Sequence, residues 1–175
     1  MPSLSRFLFA PTETARRNLL SEGIPQEKIH VTGNTIVDSV QQSLEIAERK
    51  ADALADLGLK SREYVLATAH RAENVDERKR LEEILKGLSL VGAELEMPVV
   101  FPVHPRTRKM LEIFRISPDS VRAIEPLGFL EFLLLEAHAA LVLTDSGGVQ
   151  EEACILKVPC VTLRDNTERP ETLDV

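Results

Sequence analysis

The stretch TDSGGVQEEA, residues 144 to 153, places an acid, a hydroxyl and two glycines directly after the apolar run AALVL. A helix-forming segment carrying Glu151 and Glu152 follows at once. Bare backbone at Gly147 and Gly148 puts unpaired amide N–H groups at a helix N-terminus, where the helix dipole favours an anion such as phosphate. Ser146 adds a hydroxyl donor. A Cβ at either glycine would hold phosphate oxygens out of hydrogen-bonding range, and the tight turn is expected to call for positive φ. The competing reading is a serine-glycine helix cap that holds no ligand.

Glu152 sharpens the choice. It lies four residues after Gly148, so the two share a helix face and the carboxylate points back toward whatever the turn holds. Phosphate repels a carboxylate, but the vicinal hydroxyls of a ribose donate two hydrogen bonds to one. The spacing therefore predicts a nucleotide, with its diphosphate on Ser146, Gly147 and Gly148 and its ribose on Glu152. Glu151, rotated by about 100° on an ordinary helix, is expected to be solvated or to complement the dipole of the first turn. Thr144 and Asp145 are expected to orient the turn.

These residues need a scaffold, and the chain supplies an alternating one. Seven short β-branched or apolar runs (RFLFAP, KIHVTG, EYVLATA, PVVFPV, VRAIEP, ALVLTD and CVTLR) are separated by segments with apolar residues three and four apart. Strict strand-helix alternation means right-handed crossovers and a mostly parallel sheet with helices on both faces. The fold class is α/β, doubly wound. Ligands of such sheets sit beyond the carboxyl ends of the strands, where loops lead into helices. A folding-only account expects turn residues there, yet five strand ends carry His70, Arg71, His104, Arg106, Ser146, Arg164 and Arg169. That basic and hydroxylic rim suits an anion.

Composition narrows the partners. The 175 residues fit one ordinary domain, and a hydrophobic content of 43% is enough to fill its core. With a net charge of −7 no basic face dominates, which argues against nucleic acid. The longest apolar region, GFLEFLLLEAHAALVLT, is interrupted by Glu131, Glu136 and His138, and nothing near Met1 resembles a secretory signal. No membrane is expected as a partner. Cys154 and Cys160 read as two reduced core thiols, consistent with a cytoplasmic setting, and no ligand spacing for a metal appears.

Taken in order, LFAPTETARRNLLSEG, VTGNTIVD, ATAHRAEN, PVHPRT, TDSGGVQEEA and RDNTERPET resemble the non-hydrolysing UDP-N-acetylglucosamine 2-epimerases, and these motifs span nearly the whole chain. The resemblance implies one Rossmann-like, UDP-binding half, residues 1–175, of a GT-B-like enzyme about twice this length. Residues 1 to about 30 would adjoin a missing first half, and the chain reads as a fragment that is inactive alone. Carried over by position, UDP falls on Ser146, Gly147, Gly148 and Glu152, and Arg71 faces the phosphates or sugar. His70 is the candidate catalytic residue, donating to the leaving phosphate or sugar. The family often has HRREN where this chain has Ala72. Phe132 lies near the uracil in that mapping or else on a helix's core face. His104 either contacts the sugar-phosphate or finishes a strand, and Arg169 contacts the substrate, with Arg164, Thr167 and Glu168 shaping its loop.

The reaction implied is the interconversion of UDP-N-acetylglucosamine and its manno epimer by elimination and re-addition of UDP, with no metal or other cofactor, in a homodimer. A GT-B glycosyltransferase or hydrolysing epimerase remains as a second reading, although TERPE argues against a transferase. A non-catalytic nucleotide-sugar-binding module is a third.

Overall fold

The computed structural model describes residues 5–50, 53–167 and 169–173. They fall into two compact units, Met1–Ser39 and Val40–Val175. In the first unit β1 (Leu8–Ala10) pairs in parallel with β2 (Ile29–Val31), and α1 (Glu13–Ser21) makes the crossover. Thr12 starts that helix by accepting the Ala15 amide on its hydroxyl at 3.1 Å. Gly23, at φ +82°, turns the chain out of it.

The second unit holds a five-stranded, wholly parallel sheet in the order β5-β4-β3-β6-β7. Its strands are β3 (Val65–Thr68), β4 (Val99–Pro102), β5 (Arg122–Ile124), β6 (Leu141–Thr144) and β7 (Cys160–Thr162). The inner strands read as unbroken apolar runs because both their faces are covered. Alternation then sorts the side chains. Val65, Ala67 and Phe101 enter one core with Leu81, Leu85, Leu88 and Leu111, whereas Leu66, Val100 and Val142 enter the other with Leu134, Leu135 and Ala153.

Helices α5 (Arg78–Glu94) and α6 (Pro105–Phe114) supply the first core. Helices α7 (Phe129–His138) and α8 (Gly147–Leu156) supply the second, with Ala47 of α2 (Ile36–Lys50) and Ala53 of the short α3 (Ala53–Asp56). One element, the single turn α4 (Ala72–Val75), lies where the sequence suggested only a polar loop. Its reason is tertiary: Asn74 is buried and tied to two other strand ends, as described below.

All seven expected strands are present, and the sheet is doubly wound as the alternation predicts. The chain runs from β3 outward to β4 and β5, then returns to the other side of β3 as β6 and β7. The order therefore reverses between β3 and β6, and a crevice opens beyond the carboxyl ends of those two strands. Among the described residues, no helix is long and apolar enough to cross a membrane.

Candidate functional site

The crevice is built from the last residues of β3 and β6. Thr68 and Thr144 are register partners, and their hydroxyls lie 2.6 Å apart. The Thr144 hydroxyl also accepts the Ser146 amide at 3.0 Å, which sets the turn into α8. Ser146 caps that helix by accepting the Val149 amide at 3.4 Å, so the capping reading of the serine holds as geometry.

The glycines behave differently from the sequence expectation. Neither Gly147 nor Gly148 takes positive φ; both are already helical. A Cβ built on Gly148 would meet only the Ser146 hydroxyl, at 3.8 Å, an ordinary van der Waals contact. Backbone strain therefore does not explain the glycines, and at Gly148 internal packing does not either. A side chain at Gly148 would enter space that its neighbours leave open.

Asp145 is the hub of the site and does more than orient its own turn. It is 1% exposed. Its carboxylate accepts the backbone amides of His70 and Arg71, each at 2.9 Å, and the Asn74 side-chain amide at 3.0 Å. Nδ1 of His70 lies 3.0 Å from the same carboxylate. Burial pushes the Asp145 carboxyl up, but these donors together hold it below the usual carboxylate range. With Nδ1 engaged, the free Nε2 of His70 is the nitrogen left for a ligand. Asn74 also donates to the Leu163 carbonyl at 2.9 Å, tying the ends of β3, β6 and β7 together.

Four of the expected residues, His70, His104, Phe132 and Ser146, line one small cavity of about 180 Å³ over the crevice, with Thr68 and Val149. The rings of His70 and His104 are 5.2 Å apart. His104 finishes β4 and caps α6, its Nδ1 accepting the Arg106 amide at 3.1 Å, and its ring still faces the cavity. Burial first and the neighbouring His70 second push the His104 ring below the ordinary histidine range. Phe132 is half-buried: it packs on the second core and also borders the cavity, so both readings of it apply.

Three rim arginines have acidic partners. Arg106 pairs with Asp76 through its Nε at 3.0 Å, and Arg164 with Glu73 at 3.3 Å. Arg169 pairs with Glu151 at 3.0 Å. Glu151 is thus neither solvated nor a simple dipole partner; it anchors the loop that follows β7. Gln150 assists, accepting the Thr167 hydroxyl at 2.7 Å and donating to that of Thr172. Glu168 lies outside the described residues. Arg71 reaches back with its Nε to the Asp145 carbonyl at 3.3 Å.

A family model described as UDP-N-acetylglucosamine 2-epimerase matches residues 1–175. The chain belongs to the UDP-N-acetylglucosamine 2-epimerase family. It is 52% identical over 179 residues to the UDP-N-acetylglucosamine 2-epimerase of Methanocaldococcus jannaschii, covering 98% of this chain and 49% of that protein. The corresponding protein of Methanococcus maripaludis is 51% identical, with 98% and 49% covered. A crystal structure of the Methanocaldococcus jannaschii UDP-GlcNAc 2-epimerase in complex with UDP-GlcNAc and UDP superposes with a TM-score of 0.89 at 53% identity, covering 99% of this chain and 49% of that one. This epimerase-family chain therefore spans about half the length of those relatives.

Within this epimerase-family unit the expected residues divide by place. His70, Arg71, Ser146, Gly147 and Gly148 meet at the β3/β6 crevice, with His104 and Phe132 across the cavity. Glu152 sits one turn further along α8, and Arg169 is joined to it only through the adjacent Glu151. The sequence reading did not anticipate Glu136, a glutamate in α7 with no accessible surface, on which the charge of Glu152 acts.

Proposed function

We propose that this chain is the UDP-binding half of a UDP-N-acetylglucosamine 2-epimerase, gripping UDP at the crevice between β3 and β6. The observation that carries the reading is the arrangement at the N-terminus of α8. A side chain on Gly148 would meet nothing but a hydroxyl, and Ser146 and Val149, which flank the two glycines, line the cavity bordered by His70 and His104. An anion fits that opening because amide donors and the helix dipole converge on it. Family membership and the superposition on a protein solved with UDP-GlcNAc and UDP support the nucleotide assignment.

In this reading the diphosphate rests on Ser146, Gly147 and Gly148, with Arg71 and His104 at its flank. The ribose hydroxyls donate to Glu152, the uracil lies toward Phe132, and Arg169 reaches the substrate from its loop. The reaction breaks the C2–H bond and the C1–O bond to UDP, giving a 2-acetamidoglucal. UDP then adds back to C1 while C2 is reprotonated on the opposite face. No carbonyl stands beside C2, so the barrier falls chiefly by stabilising charge on the departing β-phosphate. Hydrogen bonds to such a charged group contribute roughly 1.5 to 3 kcal/mol each. His70, its Nδ1 fixed by Asp145, donates from Nε2 in its doubly protonated form to the leaving phosphate or sugar.

The C2 acid and base belong to another part of the whole enzyme, so this chain alone binds UDP weakly and does not epimerise. A homodimeric whole enzyme completes the proposal, and a reducing, cytoplasmic setting goes with the free thiols Cys154 and Cys160. Calorimetry with UDP tests the site: Ser146→Ala and Glu152→Ala should each weaken binding about tenfold. Unchanged affinity in both removes them from it. In the whole enzyme, His70→Ala should slow turnover and solvent deuterium incorporation at C2 together, and wild-type rates would exclude the residue.

A further inference from the structure

The reading above uses Glu152 but leaves unexplained why a second glutamate is sealed against it. Glu136 has 0% exposure, and among the described residues neither of its carboxyl oxygens meets an N–H or O–H donor. Helix α7 packs on α8, and Glu152 of α8 is the acid whose charge and hydrogen-bonding capacity act on Glu136. An isolated buried carboxylate is costly, and a second carboxylate beside it more so. Two carboxyls in contact can satisfy one another only by sharing a proton, one as donor and one as acceptor. Among the described residues, Glu151, next to Glu152, and Cys154 come from α8 and Cys160 from β7, and the cation Arg169 is engaged by Glu151 at 3.0 Å.

Burial and the neighbouring Glu152 drive Glu136 far above the usual carboxylate range. Burial also raises Glu152, with Glu151 adding to it, while the hydrogen bond from Glu136 acts the other way. The more deeply buried member therefore keeps the proton.

We propose that Glu136 is a positioning residue for the nucleotide: its carboxyl donates a proton-bearing oxygen to Glu152, which stays anionic and fixed in direction, with lone pairs remaining for the 2′- and 3′-hydroxyls of the ribose. The inference rests on the assignment of Glu152 to the ribose. Without the donor, Glu152 loses both its orientation and the partner that makes a half-buried anion tolerable.

The test compares UDP with its 2′,3′-dideoxy analogue, titrated calorimetrically into the chain and its variants at neutral pH. Wild type should prefer UDP by roughly tenfold, the worth of hydrogen bonds to a charged acceptor. Glu136→Gln, which keeps a donor in the same place, should retain that preference to within about twofold. Glu136→Leu should reduce it to near one, and retention of the wild-type ratio by the leucine variant overturns the proposal. Should the leucine variant fail to fold, alkaline titrations decide. The wild-type ratio then falls as Glu136 ionises while the glutamine ratio stays flat, and a flat wild-type ratio overturns the proposal. Ionisation of the uracil affects both ligands alike and cancels. A wild-type protein with no preference for UDP over the analogue fails at an earlier point, since it removes the ribose from Glu152 before any substitution is made.

Discussion

Asp145 and His70 are joined twice: the Asp145 carboxylate accepts the backbone amide of His70 at 2.9 Å and lies 3.0 Å from Nδ1 of its ring. One buried carboxylate thus sets both the path of the chain after β3 and the direction of the imidazole. Asp145→Asn keeps the shape but loses the charge that these donors converge on. We expect a loss of roughly 2–4 kcal/mol in urea unfolding. The folded Asp145 carboxyl lies below its unfolded value. Its contribution is therefore complete above the unfolded carboxylate range and is lost as pH falls through the folded one. The asparagine variant should lack that acid-dependent component, so the stability gap between the two proteins should shrink in strong acid.

Gly148 separates folding from binding. Its Cβ position is open apart from the Ser146 hydroxyl at 3.8 Å, and alanine favours a helix over glycine by about 1 kcal/mol. Gly148→Ala should leave the melting temperature equal or higher while UDP affinity drops at least about tenfold, because in the proposed site the methyl would take the place of a phosphate oxygen. Unchanged affinity would place the diphosphate elsewhere.

Glu136 should cost stability at neutral pH. The unfolded chain releases the Glu136 proton near an ordinary carboxylate value, whereas the folded protein retains it. Stability is then highest below the unfolded value and declines as pH rises above it, the opposite slope to that of Asp145. Glu136→Gln removes this slope. Thermal melts from pH 5 to pH 8 should show the glutamine variant gaining steadily on wild type; parallel curves would mean that Glu136 is ionised in the folded state.

How much of this was legible in the sequence depends on the range over which a residue acts. β3 and β4 announce themselves as unbroken apolar runs, and α8 by its Ser146 cap, because those signals are local. The partners chosen by Asp145, Glu151 and Glu136 are not local. Asp145 follows its own strand by one residue yet serves a loop 75 residues away. Glu151 looks like a solvated acid until the loop after β7 brings Arg169 to it. Glu136 stands in the sequence as a polar interruption of FLLLEAHAAL, an argument against a membrane span, and in the fold it is among the most deeply buried side chains. The positive φ expected at Gly147 and Gly148 is absent, since helical backbone suffices there.

The separation of 75 residues between His70 and Asp145 also has a kinetic side. Until β6 docks beside β3 the imidazole has no carboxylate, so this part of the crevice forms only when residues distant in sequence have met. A nucleotide bridging those two strand ends would then act as a clasp across the middle of the sheet. It would retard hydrogen exchange in β3 and β6 together rather than at the chain's edges.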